Sequence, residues 1–229
     1  MDDYTVWLTT LATQGKYLEY AKDMQKDISL AKIVGGFHIE IDDRGEGMKV
    51  HGNSRGVMGK RHAVCAAFKN HGARSVYWVD ADCVVADLFY VRKVCCKLPY
   101  GIHAIKKTVA LKHSEKWYDT NQRQELQDIA KWLQIDLGGS FHVCDWFLGY
   151  GIGNEPIQKI YDLVDLWGSI SARLATDKIV MGDGMAIGLA ASALKIPIYI
   201  SLNPTDVRNA FCHKEGFVNG WADTVKHSY

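Results

Sequence analysis

The stretch Ser75-Val76-Tyr77-Trp78-Val79-Asp80-Ala81-Asp82-Cys83 constrains this chain most. A β-branched and aromatic run reads as a buried strand, and it stops at two carboxylates one residue apart. Ligands of α/β sheets bind beyond the carboxyl ends of strands, and paired Asp side chains there suit a hard divalent cation carrying phosphate oxygens. Asp is also an ordinary turn residue, so a plain strand-end turn is the competing reading.

The preceding residues supply two strand-helix units. Tyr4 to Leu11 reads as a strand, and Gly15 opens a segment with Tyr17, Leu18, Ala21, Met24 and Ile28 at helical spacing. Ile33 to Ile41 reads as a second strand ending in Asp42-Asp43. Gly45 to Gly59 reads as a loop, and a helix follows through Ala63, Val64, Ala67 and Phe68 to Gly72. The β-α-β-α-β order predicts an α/β fold with a mostly parallel sheet flanked by helices. Further on, Tyr100 to Ile105 and Phe141 to Leu148 read as strands, Glu115 to Leu133 as a helix and Gly149 to Gly153 as a loop. Pro156 starts a helix running to about Trp167, Gly182-Asp183-Gly184 precedes an Ala-rich helix, Ile196 to Leu202 is a last strand, and the tail from Asn203 is loop.

With 229 residues the expectation is one domain. Lys+Arg 27 against Asp+Glu 26 leaves a net +1, which argues against nucleic acid or an anionic membrane as partner. Six cysteines without a CxxC pair are expected to be reduced thiols. The start at Met1-Asp2-Asp3 lacks signal-peptide character, and the longest apolar stretch is broken by Lys195 and Pro197, so the expected location is cytoplasmic with no transmembrane segment.

Three stretches together resemble the nucleotide-binding half of GT-A fold glycosyltransferases, especially the inverting family 2. They are Ile39-Glu40-Ile41-Asp42-Asp43, Gly59-Lys60-Arg61-His62-Ala63 and Val79-Asp80-Ala81-Asp82. The resemblance covers roughly the first 90 residues on these patterns. It implies a single GT-A domain, with 1–90 as nucleotide-binding half and 91–229 as acceptor-binding half. It also implies transfer from a nucleoside-diphosphate sugar, with UDP the commonest donor, to a glycan or other hydroxyl acceptor. In that reading Asp80 and Asp82 hold Mn²⁺ or Mg²⁺, Asp80 also approaches the ribose, and Asp42 or Asp43 contacts the base. Lys60 and Arg61, expected at a helix N-terminus, meet the pyrophosphate. His213 resembles a third metal ligand, and imidazole favours Mn²⁺. Asp183 matches the family's general base and is equally a good N-cap. Asp145 is the second candidate for base or acceptor work. Trp146 and Tyr150 are candidates to stack on a sugar, or else core residues.

Two rival readings stand beside this one. Asp80-Ala81-Asp82, with Lys178 and Gly182-Asp183-Gly184, also resembles motifs of haloacid-dehalogenase-type phosphatases, which use Mg²⁺. That family's closing acid is replaced here by Ala186 and Ile187, and its first motif normally lies on the first strand. The other rival is a nucleotide-binding module without catalysis.

Overall fold

The computed structural model describes residues 5–13, 15–32, 34–42, 54–174 and 183–213. The first five elements are β1 (Val6–Thr13), α1 (Lys16–Ala31), β2 (Gly36–Asp42), α2 (Ser54–His71) and β3 (Ser75–Val79). β1 pairs in parallel with both β2 and β3, Leu8 standing opposite Phe37 on one side and Tyr77 on the other. The expected β-α-β-α-β unit is therefore present, and it delivers the ends of β2 and β3 to the same edge of the sheet.

The next elements are β4 (Cys83–Val85), α3 (Leu88–Val94), β5 (Gly101–Ala104), β6 (Lys107–Val109), α4 (Ala110–Trp117), α5 (Thr120–Leu133), β7 (Phe141–Val143) and β8 (Phe147–Gly151). The rest are α6 (Gln158–Leu174), α7 (Asp183–Ala193), β9 (Ile198–Ile200), α8 (Pro204–Ala210) and β10 (Phe211–His213). The central sheet runs β2-β1-β3-β8-β5-β9, and only β8 is antiparallel to its neighbours. β4 pairs with β10 and β6 with β7 as separate antiparallel ribbons.

Side chains alternate across a strand, and β3 shows how the two layers are divided. Val76 and Trp78 join one apolar cluster with α2, α5, α6 and α7, whereas Tyr77 and Val79 join another with α1, α3 and α8. α7 is buried at every position from Asp183 to Ala191, which explains its apolar character all round. Gly184 and Gly188 lie one turn apart against the Val143 and Phe141 carbonyls of β7, so there is no room for a Cβ at either. Among the described residues no helix is long and apolar enough to cross a membrane.

Several boundaries differ from expectation. α2 already begins at Ser54, inside the expected loop. The expected helix over 115–133 is two helices, because Asp119 restarts it: its carboxylate accepts from Gln122 N–H at 2.8 Å, and the Gln122 side chain accepts from Asp119 N–H at 3.0 Å. The expected strand over 141–148 is split into β7 and β8 around Cys144-Asp145-Trp146. Gly149 to Gly151 is strand, not loop, paired on both sides in the sheet interior. A Cβ on Gly149 would come within 2.6 Å of the Leu98 side chain, so glycine here serves close packing. The tail is not all loop: Asn203 caps α8 through bonds from Thr205 N–H (2.9 Å) and Asp206 N–H (3.2 Å), with Pro204 in the first turn, and β10 follows.

Candidate active site

β3 ends at Val79, and Asp80 begins a tight turn in which its carbonyl accepts from Cys83 N–H at 3.1 Å. Asp80 N–H donates to the Trp146 carbonyl at 3.2 Å, tying this turn to the β7–β8 connection that carries Asp145. The carboxylate of Asp80 is itself oriented from below. Trp78, two residues earlier and so on the same side of the strand, donates its indole N–H to Oδ1 at 2.9 Å.

Lys60 arrives from α2. Ala63, Val64 and Ala67 form the buried stripe of that helix, and Lys60 extends the stripe by one turn, beyond the end of the sheet. Its ammonium lies 3.1 Å from Asp80 Oδ1, 3.7 Å from Asp145 Oδ2 and 3.7 Å from Asp183 Oδ2. It also sits 5.2 Å from the ring centroid of Trp78. Asp183 is the first residue of α7, and the indole N–H of Trp167 on α6 reaches its Oδ1 at 3.3 Å.

Four expected site residues, Lys60, Asp80, Asp145 and Asp183, thus converge from four separate parts of the chain. Their electrostatics are unbalanced. Burial would lower the Lys60 pKa, but the three carboxylates outweigh it and hold the ammonium firmly charged. Burial pushes Asp80 up, Lys60 opposes this, and Asp145 and Asp82 add to the rise. Asp183 is pushed up to about 7, first by burial and then by Asp145 and Asp80, against the pull of Lys60. Three carboxylates thus share the Lys60 ammonium, and the Asp82 charge acts on Asp80 beside them, an arrangement that favours additional positive charge.

The side chains differ sharply in access. Asp183 is 1% exposed, Asp80 26% and Asp145 33%. Asp183 is therefore sealed beneath Lys60, while Asp145 is the most open of the three acids that Lys60 holds. Beyond Asp145, His142 on β7 stacks on His113 of α4 with centroids 3.7 Å apart, and Tyr118 meets His113 edge-on at 5.5 Å. Burial raises the Tyr118 pKa and lowers that of His142; the Asp145 charge adds to the first and opposes the second.

The remaining expected residues fall as follows. Asp42 ends β2, with its backbone opposite Thr13 of β1, two strands or roughly 10 Å from β3. Asp43 lies outside the described residues. The backbone of His213 pairs with that of Cys83 across β10 and β4, next in the chain to Asp82. Lys60 and Arg61 are not at a helix N-terminus, since α2 begins six residues before Lys60. Dipole and free N–H groups therefore cannot be what places them, and Lys60 is held by carboxylates instead. Arg61 extends over Gly168 of α6, where a larger residue would collide with its guanidinium. Tyr150 is 1% exposed, which removes it as a sugar platform. Trp146 is half-buried against the α1/α3/α8-side cluster.

Sequence reasoning missed Trp167, His113, His142 and Tyr118 as members of this neighbourhood. Trp78 was legible in principle, because alternation puts it on the side of Asp80. Among the described residues no group of three or more His, Cys, Asp and Glu forms a ready metal cage.

No family model matches the chain, and no curated protein matches it. Among solved structures, the chain is similar to a glycosyltransferase involved in the glycosylation of the major capsid of PBCV-1. The two share 13% identity over 97% of this chain and 99% of that one, with a TM-score of 0.47.

Proposed function

We propose that this chain is a glycosyltransferase of GT-A type, moving a sugar from a nucleoside-diphosphate donor, UDP first among the candidates, to a hydroxyl of a glycan. One observation carries the reading: at the carboxyl end of β3 the Lys60 ammonium joins Asp80 to Asp145 and Asp183, acids brought in from separate parts of the chain. Asp80 and Asp82 make the donor side, with Asp42 or Asp43 as the contact to the base. Asp145 and Asp183 make the acceptor side. The chain is taken as one domain, 1–90 binding the nucleotide and 91–229 the acceptor.

The excess of negative charge over Lys60 fits a divalent cation bound jointly with a diphosphate. Asp80 and Asp82 supply the hard oxygen donors in this proposal, and His213, whose backbone pairs with that of Cys83, is its third ligand. Mn²⁺ or Mg²⁺ bound there would offset the charge of the departing diphosphate. The protein's own groups do the rest. Trp78 and Lys60 fix the carboxylate of Asp80. Asp145, the accessible acid, takes the proton of the acceptor hydroxyl as it attacks the anomeric carbon from the face opposite the leaving group, which inverts that centre. Asp183, buried and bonded to Trp167, acts through Lys60 and sets its position. This assignment gives the base to Asp145, the second candidate, in place of Asp183, which the family resemblance suggests.

The phosphatase reading is the weaker one because the acid that closes its metal site is replaced by Ala186 and Ile187, and because β1 and β2 precede the strand that ends at Asp80.

The test is a thermal-shift panel of UDP, GDP, TDP and CDP with and without Mn²⁺, since a ligand that binds only the folded state raises the melting temperature. A metal-dependent rise with one nucleotide is expected, and Asp82→Ala should abolish its metal dependence. Stabilisation by Mg²⁺ with a phosphate mimic, and by no nucleotide, would replace this reading with the phosphatase.

A further inference from the structure

The acceptor side has a wall that neither the carboxylates nor the donor uses. α4 turns His113 towards His142, the two rings being parallel within 10° at 3.7 Å, and Tyr118 closes on His113 at 5.5 Å. All three are half-buried, so they border open space while belonging to the fold. Trp117 follows His113 by four residues and so lies on the same stripe of α4, one turn along. It is 61% exposed, with the Lys116 ammonium 4.7 Å from its ring centroid.

The wall is continuous with the site. Asp145 acts electrostatically on both Tyr118 and His142, and Gly184, beside Asp183, lies against the His142 ring with its Cβ position 3.0 Å from Nε2. An exposed indole, two imidazoles, a phenol and a carboxylate in sequence make a surface for a ligand that has flat C–H faces and peripheral hydroxyls. Aromatic faces cover the apolar face of such a ring, and the ring nitrogens and Tyr118 hydroxyl exchange hydrogen bonds with its edge. A nucleobase would stack equally well, but the Asp145 carboxylate beside the wall repels its phosphates.

We propose that His113, Trp117, Tyr118 and His142 form the acceptor subsite and that it takes a pyranose ring of a glycan, with one hydroxyl directed at Asp145. This rests on the transferase reading for what happens to that hydroxyl. The binding itself does not depend on turnover. The rings set which acceptor is chosen, and Trp117, farthest out, holds the next sugar of a longer chain.

Saturation-transfer NMR tests the assignment on the full chain with UDP and Mn²⁺ present, using a panel of methyl pyranosides and short oligosaccharides. At least one member should receive magnetisation at its ring C–H protons. Trp117→Ala and His113→Leu should each weaken its Kd tenfold or more, whereas Trp117→Phe, which keeps an aromatic face and guards against misfolding, should lose threefold or less. Unchanged Kd in the first two variants, or no signal from any sugar in the panel, overturns the assignment. Failure of the transferase reading looks different: the sugars still bind, and no nucleoside diphosphate raises the melting temperature.

Discussion

Tyr77 and Trp78 are adjacent on one strand and face opposite layers, and the polar groups they meet are handled in opposite ways. On the α1/α3/α8 side, the Tyr77 hydroxyl donates to the Cys96 carbonyl at 2.8 Å and accepts from Cys96 N–H at 3.1 Å. Nearby, His103 lies 2.7 Å from the Ser201 hydroxyl and 3.1 Å from the Pro99 carbonyl, and the Ser75 hydroxyl accepts from Leu98 N–H at 2.9 Å. Burial pushes Tyr77 up and His103 down, so both stay neutral. The cavity of about 390 Å³ between α3, α8 and β9 is bordered by the His103–Ser201 hydrogen bond and by the Lys93–Asp206 ion pair, one partner to each group. On the other side, the Trp78 indole holds a carboxylate that shares one ammonium with two more. Neutral pairing one-to-one is how a fold disposes of buried polarity, whereas a charge surplus left standing is the mark of a site.

The sharpest way to break this contrast is Lys60→Met. It leaves three partly or fully buried carboxylates without their cation, and a loss of about 3–5 kcal/mol is expected at pH 8 by urea unfolding. The deficit should narrow at pH 5, because the uncompensated acids then bind protons in the folded state. A deficit independent of pH would mean that Lys60 matters as packing and not as charge.

Asp183→Asn probes the same surplus through its pH dependence. The folded-state pKa of about 7 lies above the usual carboxylate value, so between about pH 4 and 7 the native state binds more protons than the unfolded chain. Asp183 therefore makes stability fall as pH rises through that window, by roughly 4 kcal/mol in all. The Asn variant should flatten that slope, as measured by chemical denaturation across the window. Activity should respond more to Asp145→Asn, with kcat down about 100-fold or more and little change in melting temperature.

Gly188→Ala tests whether the close seating of α7 on β7 positions the charged side. Its methyl would collide with the Phe141 carbonyl, and a loss of about 1–3 kcal/mol is expected from thermal unfolding. Transfer activity should fall with it, since α7 carries Asp183. Tyr77→Phe is the counterpart on the neutral side. It should cost only about 1 kcal/mol, equally at pH 5 and pH 8, and leave nucleotide-induced stabilisation as it is.

Much of the scaffold was legible because it follows from local periodicity. Ala21, Met24 and Ile28 are the buried positions of α1, as their spacing predicts, and the parallel order of β1, β2 and β3 follows from the alternation of strands with helices. Where local signals competed, the reading slipped. The glycines of β8 resemble a turn until Leu98 is seen to pack against them, and Asp119 is an overlooked cap within an otherwise helical stretch. α8 is short, so its Asn203-Pro204 start was a stronger signal than any apolar pattern it could show.

The candidate acids were legible one at a time, because carboxylates at strand ends and helix starts stand out against apolar runs. Their grouping was not. Asp80, Asp145 and Asp183 lie far apart in the chain, and only the antiparallel insertion of β8 between β3 and β5 brings Asp145 beside Asp80. The sequence by itself determined the strand-helix alternation and the residues able to carry charge at its ends, since both depend on neighbours a few positions away. The tertiary structure alone decided that Lys60 serves three acids, that Asp183 is sealed and Asp145 open, and that Trp78 and Trp167 orient them. Burial, access and charge balance depend on what the rest of the chain packs against a residue, and no local pattern encodes that.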